Sequence, residues 1–219
     1  MTYINIKRTM DMLLSFIALV LLSPLFLILI ILIKLDSKGP IFFKQKRVGI
    51  NKTHFNILKF RTMKIDTPKD MPTHLLKNPE QHITRMGKFL RKTSLDELPQ
   101  IWNIILGQMS IIGPRPALWN QYDLISERDK YNANNVMPGL TGWAQINGRD
   151  TLEIENKAWY DGEYVKNLSL AFDIKCFLLS IWIVFKKDGV IEGGTGTLEQ
   201  QEAEGTKEFT FNLNVVNKK

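Results

Sequence analysis

The sequence predicts a mixed α/β, mostly helical protein, in which an N-terminal membrane anchor precedes one compact domain. Three observations lead to this prediction. The stretch Leu13–Ile33 contains no charged residue, residues 41–63 alternate apolar and polar side chains, and residues 83–185 contain short apolar segments with helical spacing. We therefore predict an anchor at 1–36 and a compact domain at 37–192.

The uncharged run Leu13–Ile33 is about 30 Å long as a helix, which matches the hydrocarbon core of a bilayer. Ser23 and Pro24 interrupt its middle, and proline removes a backbone donor, so we expect a break there. Basic residues stand on both flanks, and positive charge prefers the cytoplasmic side of a membrane. Two structures stay open at this point: a proline-kinked transmembrane helix, and a re-entrant helix-break-helix that returns to its own leaflet.

The compact domain is predicted to begin with a hairpin and to continue as a series of helices. Residues 66–80 hold three prolines and are expected to form a surface loop. Residues 111–119 must be extended or turned, because prolines flank Arg115 on both sides. The predicted elements are strands Ile41–Val48 and His54–Met63, then helices Ile83–Arg91, Leu98–Leu106, Leu118–Tyr131, Leu152–Tyr164 and Leu170–Phe185.

The last of these helices has two interpretations. Asp173 and Lys175 shorten the uncharged part of Leu170–Phe185, which is then too short to cross a bilayer. It is either a buried core helix or an amphipathic helix in the membrane interface, and an anchor elsewhere in the chain favours the interface.

Residues 193–219 are predicted to form a C-terminal extension with a short strand. Its apolar residues Phe209, Phe211, Leu213 and Val215 alternate with polar ones, which is typical of a strand. A lone terminal strand needs a partner edge in this chain or in another. A homo-oligomer joined through this extension is therefore one of two predicted arrangements.

The composition excludes several classes of protein. With 44% hydrophobic and 23% charged residues, the chain is neither disordered nor collagen-like. The single cysteine, Cys176, excludes an internal disulfide framework and a cysteine-rich zinc site. The formal net charge of +7 suits nucleic acid, anionic lipid or a phosphorylated substrate. No recognised nucleic-acid-binding motif accompanies that charge, so we predict no nucleic-acid partner.

Two adjacent carboxylates, Asp96 and Glu97, precede a predicted helix in KTSLDELPQIWNII (92–105). Either Ser94 and Glu97 form a capping box, or Asp96 itself caps the helix. Both predictions place the pair at a helix N-terminus, which favours ionised carboxylates and can bind phosphate. Adjacent side chains on a helix diverge by about 100°, which excludes a facing glycosidase pair. One carboxylate could attack phosphorus while the other binds a cation; the alternative is a pair of ordinary dipole-complementing acids.

Four cations stand in settings that suit phosphate binding: Lys59, Arg61, Arg91 and Arg115. A guanidinium on a stiff backbone is suited to the planar recognition of phosphate oxygens. The alternative for each is a solvated basic face or attraction to anionic lipid. For Arg115 the two flanking prolines favour binding, because a merely solvated arginine does not need a restricted backbone.

The motifs of this chain resemble, in order, those of the bacterial monotopic phosphoglycosyl transferases. The matching segments cover most of residues 7–190: KRTMDMLLS, GPIFFKQKRVG, ILKFRTM, FLRKTSLDELPQIWNIILGQMSIIGPRP and PGLTGWAQINGR. The resemblance implies a re-entrant helix bent at Ser23 and Pro24, held in one leaflet of the bacterial inner membrane, with the catalytic domain on the cytosolic face. It also implies that a phosphosugar passes from a UDP-sugar to a polyprenyl phosphate, usually undecaprenyl phosphate, with release of UMP. This would be the first membrane step of surface glycan synthesis.

The resemblance also assigns site residues. Asp96 matches the family's nucleophile and Glu97 its magnesium-associated acid, so we expect a phospho-aspartyl intermediate and a Mg²⁺ ion beside both carboxylates. Lys59, Arg91 and Arg115 match basic active-site positions, and the neighbouring Arg61 is a further candidate.

The stretch 138–149, with Gln145 and Arg149, matches a loop that we assign to the nucleotide sugar. The family leaves the sugar open, and we expect an N-acetylated 6-deoxy or di-amino hexose. The anchor and the charge taken alone also allow a different function, a non-catalytic membrane-bound adaptor of a polysaccharide assembly complex.

Overall fold

The computed structural model describes residues 3–68, 79–148 and 152–186. Arg149 and the predicted C-terminal extension with its strand lie outside these residues. The mixed α/β, mostly helical class is confirmed. The elements are α1 (Tyr3–Leu21), α2 (Ser23–Asp36), β1 (Phe42–Val48), β2 (His54–Phe60), α3 (Pro79–His82), α4 (Arg85–Lys92), α5 (Gln100–Ile105), β3 (Ser110–Ile112), α6 (Tyr122–Asp129), β4 (Gly139–Thr141), α7 (Trp143–Ile146), α8 (Ile154–Lys166) and α9 (Leu170–Lys186).

The N-terminal apolar run forms two helices, α1 and α2, with a bend of 63° between them. The Ser23 hydroxyl donates a 2.8 Å hydrogen bond to the Val20 carbonyl, and Pro24 lies in the first turn of α2. The predicted break at these two residues is confirmed. Among the described helices, none alone is both long and apolar enough to cross a membrane, whereas this bent pair together meets that test by length and composition.

A buried polar cluster joins α1 to the rest of the domain. Asp173 on α9 accepts hydrogen bonds from Tyr3 Oη at 2.5 Å, Lys7 Nζ at 2.6 Å and Tyr164 Oη at 2.8 Å. Asp11 accepts a bond from the Ser110 hydroxyl at 2.5 Å. We name this group the anchor cluster: Tyr3, Lys7, Asp11, Ser110, Tyr164 and Asp173. It connects α1 to β3, α8 and α9.

Strands β1 and β2 form the predicted antiparallel hairpin, with Phe42 opposite Phe60 and Val48 opposite His54. The turn contains Asn51 and Lys52 at positive φ. The predicted end of β2 at Met63 is wrong by three residues. The Arg61 N–H makes one more bond, to the Ile41 carbonyl at 2.8 Å. The chain then meets the start of α4, where the Thr84 N–H donates to the Thr62 carbonyl at 3.0 Å.

Strands β3 and β4 form a second, parallel pair, in which Ser110 lies opposite Gly139 and Ile112 opposite Thr141. The backbones approach too closely here for a side chain, since a Cβ on Gly139 would lie 2.1 Å from the Gly113 nitrogen. This close packing brings the segment around Arg115 beside the glycine-rich segment that contains α7.

The helix after Arg115 is shorter than predicted. The prediction begins it at Leu118, but α6 begins at Tyr122. Residues 117 and 118 pair with β1 instead: the Val48 N–H donates to the Ala117 carbonyl at 3.0 Å, and Arg47 forms a bridge with Leu118. Pairing with a strand edge therefore replaces the predicted first helical turn.

Helix α9 is amphipathic, with a buried face that carries Asp173 and Cys176. Its other face exposes six large apolar residues: Leu170, Ile174, Phe177, Leu178, Ile181 and Trp182. This exposed apolar face is contrary to a fully buried core helix and agrees with the interfacial prediction.

Candidate active site

Asp96 and Glu97 lie in a 3₁₀ turn, Leu95–Glu97, that leads through Leu98 and Pro99 into α5. Both capping predictions are wrong. Ser94 has a left-handed conformation and makes no side-chain capping bond. The N–H groups of Glu97 and Leu98 already donate to the backbone carbonyls of Ser94 and Leu95, each at 3.3 Å. The pair therefore precedes α5, as predicted, but does not cap it.

Glu97 is held by two cations that distant segments supply. Its Oε1 lies 2.7 Å from Lys59 Nζ on β2 and 2.5 Å from a terminal nitrogen of Arg115, whose other terminal nitrogen is 3.2 Å from Oε2. Burial by itself would raise the pKa of Glu97, but Arg115 and Lys59 hold that pKa well below its usual range. Glu97 is therefore ionised, and the positive charges of Lys59 and Arg115 balance its negative charge.

Asp96 has a different environment from its neighbour. Its side chain is 13% exposed, and within the described residues its carboxylate makes a single long ion pair, 3.9 Å to Lys59 Nζ. Burial raises the pKa of Asp96 and the charge of Glu97 adds to this effect, while Lys59, Arg91 and Arg115 oppose it. We name Lys59, Asp96, Glu97 and Arg115 the carboxylate cluster. Among the described residues, Asp96 is the carboxylate of this cluster without a short bond.

The backbone around Arg115 is held from both sides. The Gly139 N–H donates to the Pro114 carbonyl at 2.9 Å, and Arg47 donates to the Pro116 carbonyl at 3.0 Å. The predicted stiff backbone at this arginine is therefore present. Arg91 lies in the last turn of α4, where its Nε donates to the Thr62 hydroxyl at 2.9 Å, and its charge lowers the pKa of Asp96.

Arg61 lies away from these cations, at the junction of α2 and β2. Its guanidinium donates to the carbonyl of Ser37 at 2.7 Å and to the carbonyl of Lys38. No described contact joins it to the carboxylate cluster. Its contact with phosphate stays a prediction, while its present bonds connect the end of β2 to the segment that follows α2.

Two glutamines have buried amide groups without partners among the described residues. Gln145, a predicted substrate ligand, lies on α7. This helix begins directly after Gly142, which packs against Gly113. Gln100, at the start of α5, was not predicted from the sequence as a site residue, although it follows Asp96 by four positions. That spacing is the one signal in the sequence that could have pointed to Gln100.

The oxygen donors of Asp96 and Glu97 fit a Mg²⁺ ion that is held partly by substrate. Mg²⁺ commonly binds through one or two carboxylates together with substrate phosphates and water. In the described part of the chain no group of three or more candidate ligand side chains comes together, so an all-protein cage is not the mode that fits.

The carboxylate cluster is suited to phosphate chemistry, and the bent helix pair could associate with a membrane by its length and composition. The chain belongs to the bacterial sugar transferase family, whose model matches residues 2–187.

Curated relatives cover most of the chain. It is 40% identical over 185 residues to the UDP-glucose:undecaprenyl-phosphate glucose-1-phosphate transferase of Escherichia coli K12, covering 81% of this chain and 39% of that protein. It is 36% identical over 200 residues to an uncharacterized sugar transferase of Bacillus subtilis, EpsL, covering 91% of this chain and 97% of that protein. The exopolysaccharide production protein ExoY of Sinorhizobium fredii is 38% identical over 182 residues, which is 77% of this chain and 80% of that protein. The chain thus spans about two fifths of the first relative and nearly all of EpsL.

Proposed function

We propose that this protein transfers a sugar 1-phosphate from a UDP-sugar to undecaprenyl phosphate and releases UMP. The observation that carries the proposal is the difference between the two adjacent carboxylates. Glu97 is neutralised by short bonds to Lys59 and Arg115, whereas Asp96 has only a long ion pair within the described residues. The relatives named as UDP-glucose:undecaprenyl-phosphate transferases support the same reaction.

Asp96 would act as a nucleophile in two steps. In the first, a carboxylate oxygen attacks the β-phosphorus of the UDP-sugar, and the bond from this phosphorus to the bridging oxygen breaks, so that UMP leaves with that oxygen. In the second, an oxygen of the lipid phosphate attacks the same phosphorus and the bond to Asp96 breaks. The products are a polyprenyl-diphosphate sugar and free Asp96. The anomeric bond is untouched, so the anomeric configuration is retained.

The cations around Asp96 would stabilise the charge that develops on the phosphate oxygens. Lys59 and Arg115 already surround the position next to Asp96, and Arg91 contributes positive potential there. Asp96 and Glu97 would hold Mg²⁺, which when bound supplies further neutralisation of the diphosphate. Arg115, whose backbone is held from both sides, would orient the phosphate with its planar guanidinium.

The site would lie at the cytosolic face of the bacterial inner membrane. Both ends of the bent α1–α2 pair would face the cytosol, with the exposed face of α9 in the same interface. Cysteines introduced at the exposed positions Ile4 and Leu35 test this, because the natural Cys176 is buried. An impermeant thiol reagent should label both from the cytosolic side; labelling of one alone indicates a spanning helix.

The test of the reaction is to trap its first step. Purified protein is incubated with Mg²⁺ and a UDP-sugar but no lipid, with UDP-glucose first, UDP-galactose second and UDP-N-acetyl sugars after them. We expect a mass increase equal to one sugar phosphate and release of one equivalent of UMP. Asp96→Asn should show neither, while Asp66→Asn, a change at an exposed aspartate, should show both.

Two other outcomes would contradict the proposal. If UMP is released only when polyprenyl phosphate is present and the protein mass never changes, transfer is direct and Asp96 is not the nucleophile. If no UDP-sugar yields UMP with either substrate combination, the protein is not this transferase and the adaptor function gains support.

A further inference from the structure

Gln100 is the most deeply buried unpartnered amide in the described part of the chain. Its side chain is 0% exposed, and neither Oε1 nor Nε2 has a hydrogen-bond partner there. An unsatisfied buried polar group costs about 1–3 kcal/mol, and most such groups in folded proteins have partners. Stability therefore does not explain why a polar residue occupies this buried position.

The helical run that carries the carboxylates places Gln100 next to them. It follows Asp96 by four residues and Glu97 by three, so the three side chains share one face and lean toward the start of the run. That face packs on β2 at two points. Glu97 meets Lys59 at 2.7 Å, and one turn further along Asn103 accepts a 2.9 Å bond from the Leu58 N–H. Gln100 lies between these two residues along the run, three positions after Glu97 and three before Asn103.

Asn103, on the same face of the same helix, has an amide group whose hydrogen bonds are made by the protein itself. It accepts from the Leu58 N–H and donates to the Asn56 carbonyl at 2.9 Å and to Gln108 Oε1 at 2.7 Å. Two amides one turn apart thus differ completely: one is fully bonded and one has no bond among the described residues. The unbonded one is adjacent to the carboxylate cluster.

We propose that Gln100 is a positioning residue for Glu97, an inference that rests on the proposed function. In this structure Lys59 and Arg115 bind Glu97. The phosphates of a bound UDP-sugar attract both of these cations. One oxygen of Glu97 then needs a donor in their place, while the other is left for Mg²⁺. The Nε2 of Gln100 supplies this donor, and because an amide is neutral it does not compete with the cations for phosphate. Gln100 does not touch the substrate.

The variant Gln100→Met tests this, because methionine has a similar volume and no polar amide. It removes two unpartnered groups, so the thermal midpoint in detergent should equal or exceed that of the unchanged protein. Its kcat for UMP release should fall about 10- to 100-fold, the equivalent of one hydrogen bond to a charged group. The KM for the UDP-sugar should change less than about twofold. Gln100→Glu, which keeps the shape but places a second negative charge beside Glu97, should lower kcat further.

Asn103→Leu is the matched control on the same helix. It breaks bonds that exist, so its thermal midpoint should fall while the kcat of the folded fraction stays within about twofold. Gln100→Met with unchanged kcat would overturn the inference, and so would a midpoint that falls as far as that of Asn103→Leu. Activity of the unchanged protein in the same assay separates these results from failure of the proposed function, in which the unchanged protein itself yields no UMP.

Discussion

The anchor cluster and the carboxylate cluster are both partly buried groups of charges, but they differ in how completely their hydrogen bonds are made. In the anchor cluster Asp173 uses both oxygens, Oδ1 with Tyr164 and Oδ2 with Tyr3 and Lys7. In the carboxylate cluster Glu97 is bonded as fully, whereas Asp96 has one 3.9 Å ion pair within the described residues and Gln100 has no bond there.

The difference separates a structural role from a chemical one. A fully bonded buried network makes a region rigid, and removing one member leaves the others uncompensated. A buried carboxylate with few bonds has the opposite property: its oxygens are free to form a new bond. The first cluster therefore joins the N-terminal helix α1 to the domain, and the second is suited to reaction with phosphorus.

The largest effect is expected from breaking the anchor cluster. Asp173→Ala leaves Lys7 without its closest partner in a buried position and removes the partner of two tyrosine hydroxyls. The free energy of unfolding should fall by about 3–5 kcal/mol. Denaturant titration in detergent measures it, and the double variant with Lys7→Met should recover part of the loss. Unfolding unchanged from that of the natural chain would mean that this cluster does not hold the anchor.

A smaller effect is expected from opening the carboxylate cluster, and it should appear in rate rather than in stability. Arg115→Ala removes the bidentate contact with Glu97 and a cation near Asp96. The turnover number for UMP release should fall about 10²–10³-fold, as when other charge-stabilising groups are removed. Arg115→Lys keeps the charge but not the planar guanidinium. Its turnover number should lie between those of Arg115→Ala and the natural protein. Equal turnover in Arg115→Ala and the natural protein would contradict the role given to this residue.

The smallest effect is expected at an exposed ion pair, which belongs to neither cluster. Lys166 and Glu163 on α8 lie 2.9 Å apart, with side chains 66% and 28% exposed. Lys166→Gln should change the free energy of unfolding by less than about 0.5 kcal/mol and leave turnover unchanged, because water screens the pair. A loss as large as that of Asp173→Ala would show that short distance, and not burial, determines the effect.

Local features were predictable from the sequence because they depend on neighbouring residues. The break at Ser23 and Pro24 follows from proline chemistry, and the hairpin follows from alternation around a turn. The capping predictions failed because the N–H groups after Ser94 find backbone partners in a 3₁₀ turn, which periodicity does not reveal. The parallel pair β3–β4 was also missed, since three-residue strands carry too little periodicity to be recognised.

By itself, the sequence determined the bend in the apolar run, the hairpin, the stiff backbone at Arg115 and the residue types available for phosphate chemistry. These depend on side-chain chemistry and on spacing within one segment. Only the tertiary structure decided that Glu97 is the neutralised carboxylate and Asp96 the one with few bonds. Lys59 stands 38 positions before Glu97 and Arg115 18 positions after it, so their meeting depends on how β2 and the β3–β4 pair close around the turn. The tertiary structure also decided that the amide of Gln100 is buried without a hydrogen-bond partner among the described residues, because burial depends on how distant segments pack.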